Sequence, residues 1–343
     1  MGLNSEIKKY NRKTSRSERK DLVAYWDEKE YLDGEVEEVF SVIFRTRGCC
    51  RSYGAGCSMC GYHTDTNPDI DKEDLEEQLE EAISDYKDQD IVKIYTSGSF
   101  MDMEEIDDET ARKILESFDA EKTVIETRPE FVDRKRVEKF SRSVKRLELA
   151  IGLESSNDFV LENCINKGFK FRDYEEAVEK VSDLVSIRTY LLLKPPFLTE
   201  NEAIEDLENS IRDIAEITDV ISINPINIQN GTLLEELWHR GLYSPPWLWS
   251  LLEVLFSTSD IDVPVVVSKA GLGSERGADN CERCNDKIIE ILEKFNKTQD
   301  ISVSEEIPGC DCKDRWKTEK EITPFLHFRG PPSILRDRYT GYV

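Results

Sequence analysis

The sequence predicts an α/β fold: a partial (β/α)6 barrel with a C-terminal metal-binding extension built on four cysteines. Three observations predict it. Strand-like and helix-like segments alternate from about residue 39 onward. The strand-like segments are β-branched, near-continuous apolar runs, as in parallel strands covered on both faces. Past residue 262 the alternation gives way to two close cysteine pairs, Cys281/Cys284 and Cys310/Cys312. An open doubly wound sheet is the competing architecture. The expected domains are a basic, helical extension over 1–35, a barrel core over 36–262 and the metal-binding extension over 263–343.

Strands are expected at 39–45, 91–96, 122–126, 146–153, 187–193 and 220–224, with a seventh at 263–267. Between them apolar residues recur at helical spacing. Leu75, Leu79, Ala82, Ile83 and Tyr86 fall on one helix face, with glutamates elsewhere. Ala203, Ile204, Leu207, Ile211 and Ile214 repeat the pattern behind Thr199 and Glu202, which stand at capping-box spacing. Cys164, in LENCINKG, is read as a buried structural residue.

A barrel has a functional consequence, because sites sit on the loops at the C-terminal ends of the strands. Six polar, non-periodic clusters fall there. They are the cysteine loop, Ser97-Gly98-Ser99-Phe100, Glu126-Thr127-Arg128-Pro129-Glu130, Glu154-Ser155-Ser156-Asn157, Lys194-Pro195-Pro196-Phe197 and Asn224-Pro225-Ile226-Asn227.

Composition narrows the classes. The chain has 343 residues, enough for one barrel-sized domain with an appendage. No run of 18 apolar residues exists, so no membrane partner is expected. The stretch 247–256, WLWSLLEVLF, is too short and follows Pro245-Pro246. The first twenty residues are basic without an apolar segment, unlike a signal peptide, so a reducing cytoplasmic setting is expected. Acidic side chains number 71 against 46 basic ones, a formal charge of −25. That excludes a uniformly basic nucleic-acid binder. Two local clusters run the other way: Lys8, Lys9, Arg12, Lys13, Arg16, Arg19 and Lys20 at the start, and Arg329, Arg336 and Arg338 at the end.

The most informative stretch is RTRGCCRSYGAGCSMCGYHTD. Cys49, Cys57 and Cys60 read C-x7-C-x2-C in a glycine-rich loop directly after the first strand. Thiolates hold a 4Fe–4S cube, and three of them leave one iron open for a substrate or cofactor. A disulfide framework fits poorly with nine cysteines, an odd number, in a long chain. Zinc remains a competing ion, with Cys50 or His63 as its fourth ligand. Cys281, Cys284, Cys310 and Cys312 suit a closed structural zinc site, and a second iron–sulfur cluster is the rival there.

The three-cysteine loop after the first strand of a βα barrel resembles the radical S-adenosylmethionine superfamily. There three cysteines hold a 4Fe–4S cluster and S-adenosyl-L-methionine chelates the fourth iron. The usual spacing is C-x3-C-x2-C, from which this chain departs. A closer resemblance runs from about Phe44 to Arg329, through RGC…GCSMCGY, TSGSF, ETRPEF, IGLESSND, LLLKPPFLTE and the closing CxxC…CxC. It is to the archaeosine-biosynthesis family of radical SAM proteins, related to the elongator-type radical SAM subunit. In that family the first ligand follows Arg-Gly, which selects Cys49.

The resemblance implies roles for further residues. Met59 packs near the adenine. Ser97, Gly98 and Ser99 receive the methionyl amino group. Glu126 and Glu154 contact the amino group or the ribose hydroxyls. The competing reading of each glutamate is a rim salt bridge, with Arg128 or Lys194. Lys194 meets a carboxylate of cofactor or substrate, or simply precedes the rigid turn at Pro195-Pro196. His63 is read as a hydrogen-bonded residue behind the loop, and Trp247 and Trp249 as core. His239 and His327 receive no role.

The resemblance also implies the chemistry and the partners. The substrate is a tRNA whose D-loop carries 7-cyano-7-deazaguanine joined to lysine by a lysine-transferring archaeosine synthase subunit. An electron donor reduces the cluster. One electron then splits S-adenosylmethionine, and the 5′-deoxyadenosyl radical takes a hydrogen from the lysyl side chain. Its C–N bond breaks, leaving archaeosine. Two alternatives stand beside this reading. Other radical SAM tRNA enzymes carry more cysteines before the cluster loop or a further acetyltransferase domain. A zinc- and RNA-binding module would use both cysteine groups for metal and perform no catalysis.

Overall fold

The computed structural model describes residues 2–11, 14–32 and 34–326. Helix α1 (Leu3–Asn11) precedes a hairpin of β1 (Ala24–Leu32) and β2 (Glu35–Ile43). Strand and helix then alternate: α2 (Lys72–Asp85), β3 (Ile91–Tyr95), α3 (Asp108–Glu116), β4 (Lys122–Thr127), α4 (Arg134–Ser141), β5 (Leu147–Glu154), α5 (Phe171–Glu179), β6 (Ser186–Leu193), α6 (Glu200–Ile214) and β7 (Val220–Pro225). Helices α7 (Leu233–His239) and α8 (Leu248–Ser257) lead to β8 (Val265–Val267), and α9 (Asn285–Thr298) and α10 (Cys312–Leu326) follow.

The eight strands form one sheet in sequence order. β1 is antiparallel to β2, and β2 through β8 run parallel. In a flat sheet β1 and β6 would lie about 24 Å apart. Arg188 of β6 nevertheless pairs with Glu30 of β1. The sheet is therefore curled into an open, mostly parallel half-barrel, as the repeating βα units predict.

The barrel is wider than the six expected strands. β8 takes the place of the expected seventh strand. β1 lies in the stretch read as a basic, helical extension, which holds α1 as well. Its sequence, AYWDEKEYL, carries four consecutive charged residues at its centre and so lacks the continuous apolar run that marked its neighbours. The charges have a use that only the curled sheet reveals. Glu28 and Glu30 of β1 meet Lys93, Lys122, Glu148 and Arg188 inside the barrel, three acids against three bases. Lys93 Nζ lies 2.8 Å from Glu28 and 2.7 Å from Glu30. Beside this network Val39, Ile91, Val124 and Ala150 form a small apolar cluster of their own.

The outer face of the sheet carries the main core. Ala203, Ile204, Leu207, Ile211 and Ile214 of α6 are all buried, and Thr199 and Glu202 form the expected capping box. In α2, Leu75, Leu79 and Ala82 are buried, but Ile83 is 41% exposed, one step off the buried stripe. No helix among the described residues is long and apolar enough to cross a membrane.

Candidate active site at the rim of the half-barrel

β2 delivers the chain into the cysteine loop at the rim. Cys49, Cys57 and Cys60 are half-buried, Cys50 is exposed, and all nine cysteines are free of disulfides. The loop is held from several sides. Asn166, in the left-handed region at φ 64°, donates to Gly56 O at 2.6 Å. Ser58 donates its N–H to Ile165 O (2.8 Å) and its hydroxyl to Cys164 O (2.6 Å). Gly61 N–H donates to Gln229 Oε1 at 2.6 Å. Gly48, at φ 80°, has no room for a side chain, since a Cβ there would stand 2.2 Å from Thr66 Cγ2. Cys164 is buried, as expected.

The start of the chain belongs to this site. Asn11 donates to Ala55 O at 2.7 Å, and the Thr14 hydroxyl meets His63 Nε2 at 2.7 Å. Arg16 donates to Arg47 O (3.1 Å) and Ser52 Oγ (2.8 Å), and its guanidinium lies 4.0 Å from the centre of the Tyr53 ring. Lys20 pairs with Asp74 at 2.6 Å. Within the basic cluster Arg16 braces the loop, while Lys9, Arg19 and Lys20 pair with Glu6, Asp21 and Asp74. Arg12, Lys13, His327, Arg329, Arg336 and Arg338 lie outside the described residues. His63 is buried and hydrogen-bonded, as expected of a residue behind the loop.

Two cations approach the cysteines. The Cys50 thiol hydrogen-bonds to Cys49, and Arg128 and Lys167 add positive potential; together they bring the Cys49 thiol down to about 6 against its burial. Burial pushes Cys60 up to about 12 and raises Cys57, with Lys167 opposing both shifts. A thiolate-held cluster is anionic at its ligands, so this cationic setting fits it. Arg128 is held by Glu130 at 2.7 Å and donates to Lys167 O at 2.9 Å. Met59 packs half-buried against the main core.

Ser97, Gly98 and Ser99 turn beside the cysteine loop, with Ser97 at φ 57°. A buried glutamate that sequence reading missed, Glu105, ties the two loops together. It accepts the Ser99 N–H at 2.8 Å and the Thr46 hydroxyl at 2.7 Å, and Thr46 Oγ1 in turn accepts Gly48 N–H at 3.0 Å. Burial raises its carboxyl well above the usual range. A Cβ on Gly98 would stand 2.0 Å from Glu105 Oε1. Gly98→Ala is therefore expected to cost about 1–3 kcal/mol and to weaken S-adenosylmethionine binding. Urea midpoints and a ligand titration check this, and wild-type values in both would refute it.

Glu126 ends β4 half-buried and accepts the Thr96 N–H at 2.8 Å, while burial pushes its carboxyl up to about 7. It has no salt bridge to Arg128 or Lys194. Glu154 does have a cation, but neither of those expected: it pairs with Lys167 at 2.7 Å. A bulge between Gly152 and Glu154 and a φ of 74° at Glu154 end β5 there. A Cβ on Gly152 would come within 3.2 Å of Lys167 Nζ, so glycine makes room for the pair. The signal for Lys167 was the Asn-Lys-Gly turn, but nothing in the sequence aimed it at Glu154.

Lys194 is committed inward. It pairs at 2.5 Å with Glu200, whose side chain is fully buried, and its carbonyl accepts the Tyr243 hydroxyl at 2.8 Å. Glu200 also accepts Trp247 N–H at 2.9 Å and the Ser250 hydroxyl, and Ser250 Oγ accepts Trp316 Nε1 at 2.8 Å. Glu200→Ala leaves the Lys194 charge buried alone and is expected to destabilise by about 3–5 kcal/mol. A urea midpoint unchanged from wild type would contradict it.

The C-terminal cysteines form a separate centre. Sulfur–sulfur distances of 3.5 Å link Cys281 to Cys284, Cys281 to Cys310 and Cys284 to Cys312. Among the described residues this is the one set of three or more ligating side chains with all donor atoms within 4.8 Å. A tetrahedral ion with bonds of about 2.3 Å sets sulfurs about 3.8 Å apart. A four-iron cube spreads its ligands wider, and Cys49, Cys57 and Cys60 are spread beyond that limit. Cys284 caps α9 and Cys312 opens α10, so two helix N-termini favour thiolates here. Trp249, buried as expected, donates Nε1 to Cys312 Sγ at 3.3 Å, and half-buried Trp247 donates to Glu319 at 2.8 Å.

Residues 43–209 match the family model of the radical SAM superfamily. With the three-cysteine loop on the rim of a half-barrel, this makes the chain a radical SAM superfamily enzyme. Among curated proteins it is similar to archaeosine synthase subunit beta of Methanosarcina acetivorans, at 37% identity over 97% of this chain and 100% of that one. The subunit of the same name from Thermococcus kodakarensis is 37% identical over 86% of this chain and 95% of its own. The chain belongs to the archaeosine synthase subunit beta family. Among solved structures, the archaeal Methanocaldococcus infernus Elp3 with an N-terminal deletion overlays with a TM-score of 0.45 at 20% identity, covering 66% of this chain and 58% of that one.

Proposed function

We propose that the chain is the radical SAM subunit of an archaeosine synthase. It cleaves the lysine C–N bond of lysine-modified 7-cyano-7-deazaguanine in the tRNA D-loop and leaves archaeosine. The observation that carries this reading is the near full-length similarity to proteins named archaeosine synthase subunit beta. Their name, a subunit, supports a partner subunit, and lysine transfer is the role we propose for it. An external donor would supply the electron.

Cys49, Cys57 and Cys60 would hold a 4Fe–4S cluster whose open iron binds S-adenosyl-L-methionine, and together these groups supply a carbon radical able to take a hydrogen. The chain's own residues place and shield that chemistry. Ser97, Gly98 and Ser99 would offer backbone acceptors to the methionyl amino group, with Glu105 fixing their turn. Glu126 and Glu154 would take the amino group or ribose hydroxyls, Met59 would pack on the adenine, and Arg128 and Lys167 balance the thiolates. Zinc is the ion we propose for Cys281, Cys284, Cys310 and Cys312, because the sulfur spacing suits one tetrahedral ion. We propose a barrel core that takes in β1 and β8 at its two edges, flanked by the N-terminal helix and the four-cysteine extension, in a cytoplasmic protein. Because the chain carries a charge of −25, we expect tight tRNA binding to require the partner subunit.

The test is anaerobic reconstitution with iron and sulfide, then incubation with reductant, S-adenosylmethionine and tRNA bearing the lysine-modified base. Archaeosine in the nucleoside digest, with 5′-deoxyadenosine formed alongside, is the expected result. The lysine-bearing base returned intact, even with the partner subunit present, would overturn the reading.

A further inference from the structure

The half-barrel encloses a lumen that the rim chemistry leaves unassigned. Along β1, Trp26, Glu28 and Glu30 follow at two-residue spacing and share one face. β1 is antiparallel to β2, with Ala24 opposite Ile43 at the rim end and Leu32 opposite Glu35 at the far end. Trp26 is thus nearest the cysteine loop and Glu30 deepest. Exposure falls in the same order: 38% for Trp26, 24% for the Glu28 side chain and 3% for that of Glu30.

The deepest layer is saturated. Glu30, Glu148, Lys122 and Arg188 have side chains only 3–4% exposed and pair with one another. The layer above it is open. Glu28 Oε1 accepts Lys93 Nζ at 2.8 Å and the Ser41 hydroxyl at 3.1 Å. Lys93 gives one proton to Glu28 and one to Glu30, and an ammonium has three. Above these groups the Trp26 ring stacks on Tyr95 at 6.2 Å and 3°. Tyr95 and Tyr190 are half-buried, so they wall a space instead of filling a core. The other titratable group facing this wall is Glu126, at the rim end of β4.

The charge count selects the ligand. Within the two layers three acids and three bases balance, with Glu126 apart at the rim, so a ligand with a net charge would leave that charge uncompensated in a poorly hydrated space. A zwitterion adds one charge of each sign and none overall. We infer that Glu28 and Lys93, beneath Trp26 and Tyr95, form a subsite for the zwitterionic head of an amino acid carried on the substrate base. Glu28 takes the α-ammonium and Lys93 the α-carboxylate, while Trp26 and Tyr95 flank the chain leading down from the rim. The inference rests on the proposed function for the identity of that amino acid, lysine.

The experiment titrates Nε-acetyl-L-lysine, whose only charges are those of the zwitterionic head, and Nα,Nε-diacetyl-L-lysine into the reconstituted full chain with S-adenosylmethionine, by calorimetry. Wild type is expected to bind the zwitterion at least about tenfold more tightly than the diacetylated form, the loss expected for one charged hydrogen bond. Glu28→Gln should weaken the zwitterion by about tenfold and leave the diacetylated form unchanged. Glu28→Asp, which keeps the charge, should restore part of the affinity. Equal affinity of wild type for the two ligands, or no measurable binding of the zwitterion, overturns the subsite even if Glu28→Gln fails to fold. The two readings fail differently. Glu28-dependent lysine binding without conversion of the lysine-bearing tRNA sinks the proposed function alone. Conversion with an unchanged KM in Glu28→Gln sinks the subsite alone.

Discussion

Cys57→Ala is expected to erase the reduced 4Fe–4S resonance of the reconstituted chain and to lower S-adenosylmethionine cleavage by about a thousandfold or more, on the order of 4 kcal/mol in the barrier. Cys49→Ala and Cys60→Ala should do the same, and Cys50→Ala should not. The reason is local. One loop supplies the three thiols, so no other element replaces a lost one. Cys164 is no substitute, because it is buried and its thiol is pushed up to about 12. Cys50 is the informative control. It is exposed and turned to hydrogen-bond Cys49, which leaves Cys49 as the thiol drawn toward the thiolate form by Arg128 and Lys167. A signal that survives Cys49→Ala and vanishes in Cys50→Ala would reverse the assignment. Zinc in place of iron at these cysteines would sink the radical chemistry altogether.

Arg188→Ala should be the most destabilising change in the barrel, by about 3–5 kcal/mol. Arg188 bridges Glu30 of β1 and Glu148 of β5, and all three side chains are 3% exposed. Its loss leaves three carboxylates, Glu28, Glu30 and Glu148, with only Lys93 and Lys122 to balance them, and it cuts the tie that closes β1 toward β6. The same network sets a pH dependence. Against the cost of burial, Arg188, Lys93 and Lys122 hold Glu30 well below the usual carboxylate range, and Arg188 and Lys122 lower Glu148. A lowered folded pKa contributes stability that is present above the unfolded carboxylate value, about 4.3, and lost as pH falls below it toward the folded value. Urea midpoints between pH 7 and pH 3 should therefore fall steeply in wild type below about pH 4.5. The fall should be shallower in Arg188→Ala, whose carboxylates are less depressed. A variant within about 1 kcal/mol of wild type at pH 7 would mean that the lumen network is hydrated and weak.

Much of the site was readable from local pattern. The cysteine spacing, the serine–glycine turn and the two C-terminal cysteine pairs are short-range signals, each carried by neighbours in sequence. The strands β2 to β7 announced themselves because both faces are covered, so their residues are apolar in near-continuous runs interrupted by single charges such as Lys93 and Arg188. β1 did not, because its lumen face is charged and its partners lie up to 158 positions away, as Arg188 does from Glu30. The glutamate pairings failed for the same reason. Glu154 was expected to find Arg128 or Lys194, yet the bulge ending β5 brings Lys167 to it, while Glu200 already holds Lys194. Glu105 looked like one more surface acid in a run of them. Its burial between Thr46 and Ser99 depends on where two loops meet. The start of the chain looked like a free basic arm, yet Arg16 and its uncharged neighbours Asn11 and Thr14 brace the cysteine loop.

The sequence by itself therefore determined the repeating βα architecture, the three-cysteine loop, the C-terminal sulfur centre and the rim that carries the candidate site. Those features rest on periodicity and on ligands a few residues apart. The tertiary structure alone decided which charges meet, which glycines are obligatory and what lines the lumen. Such contacts join residues that only the curling of the sheet brings together, and no local preference encodes them.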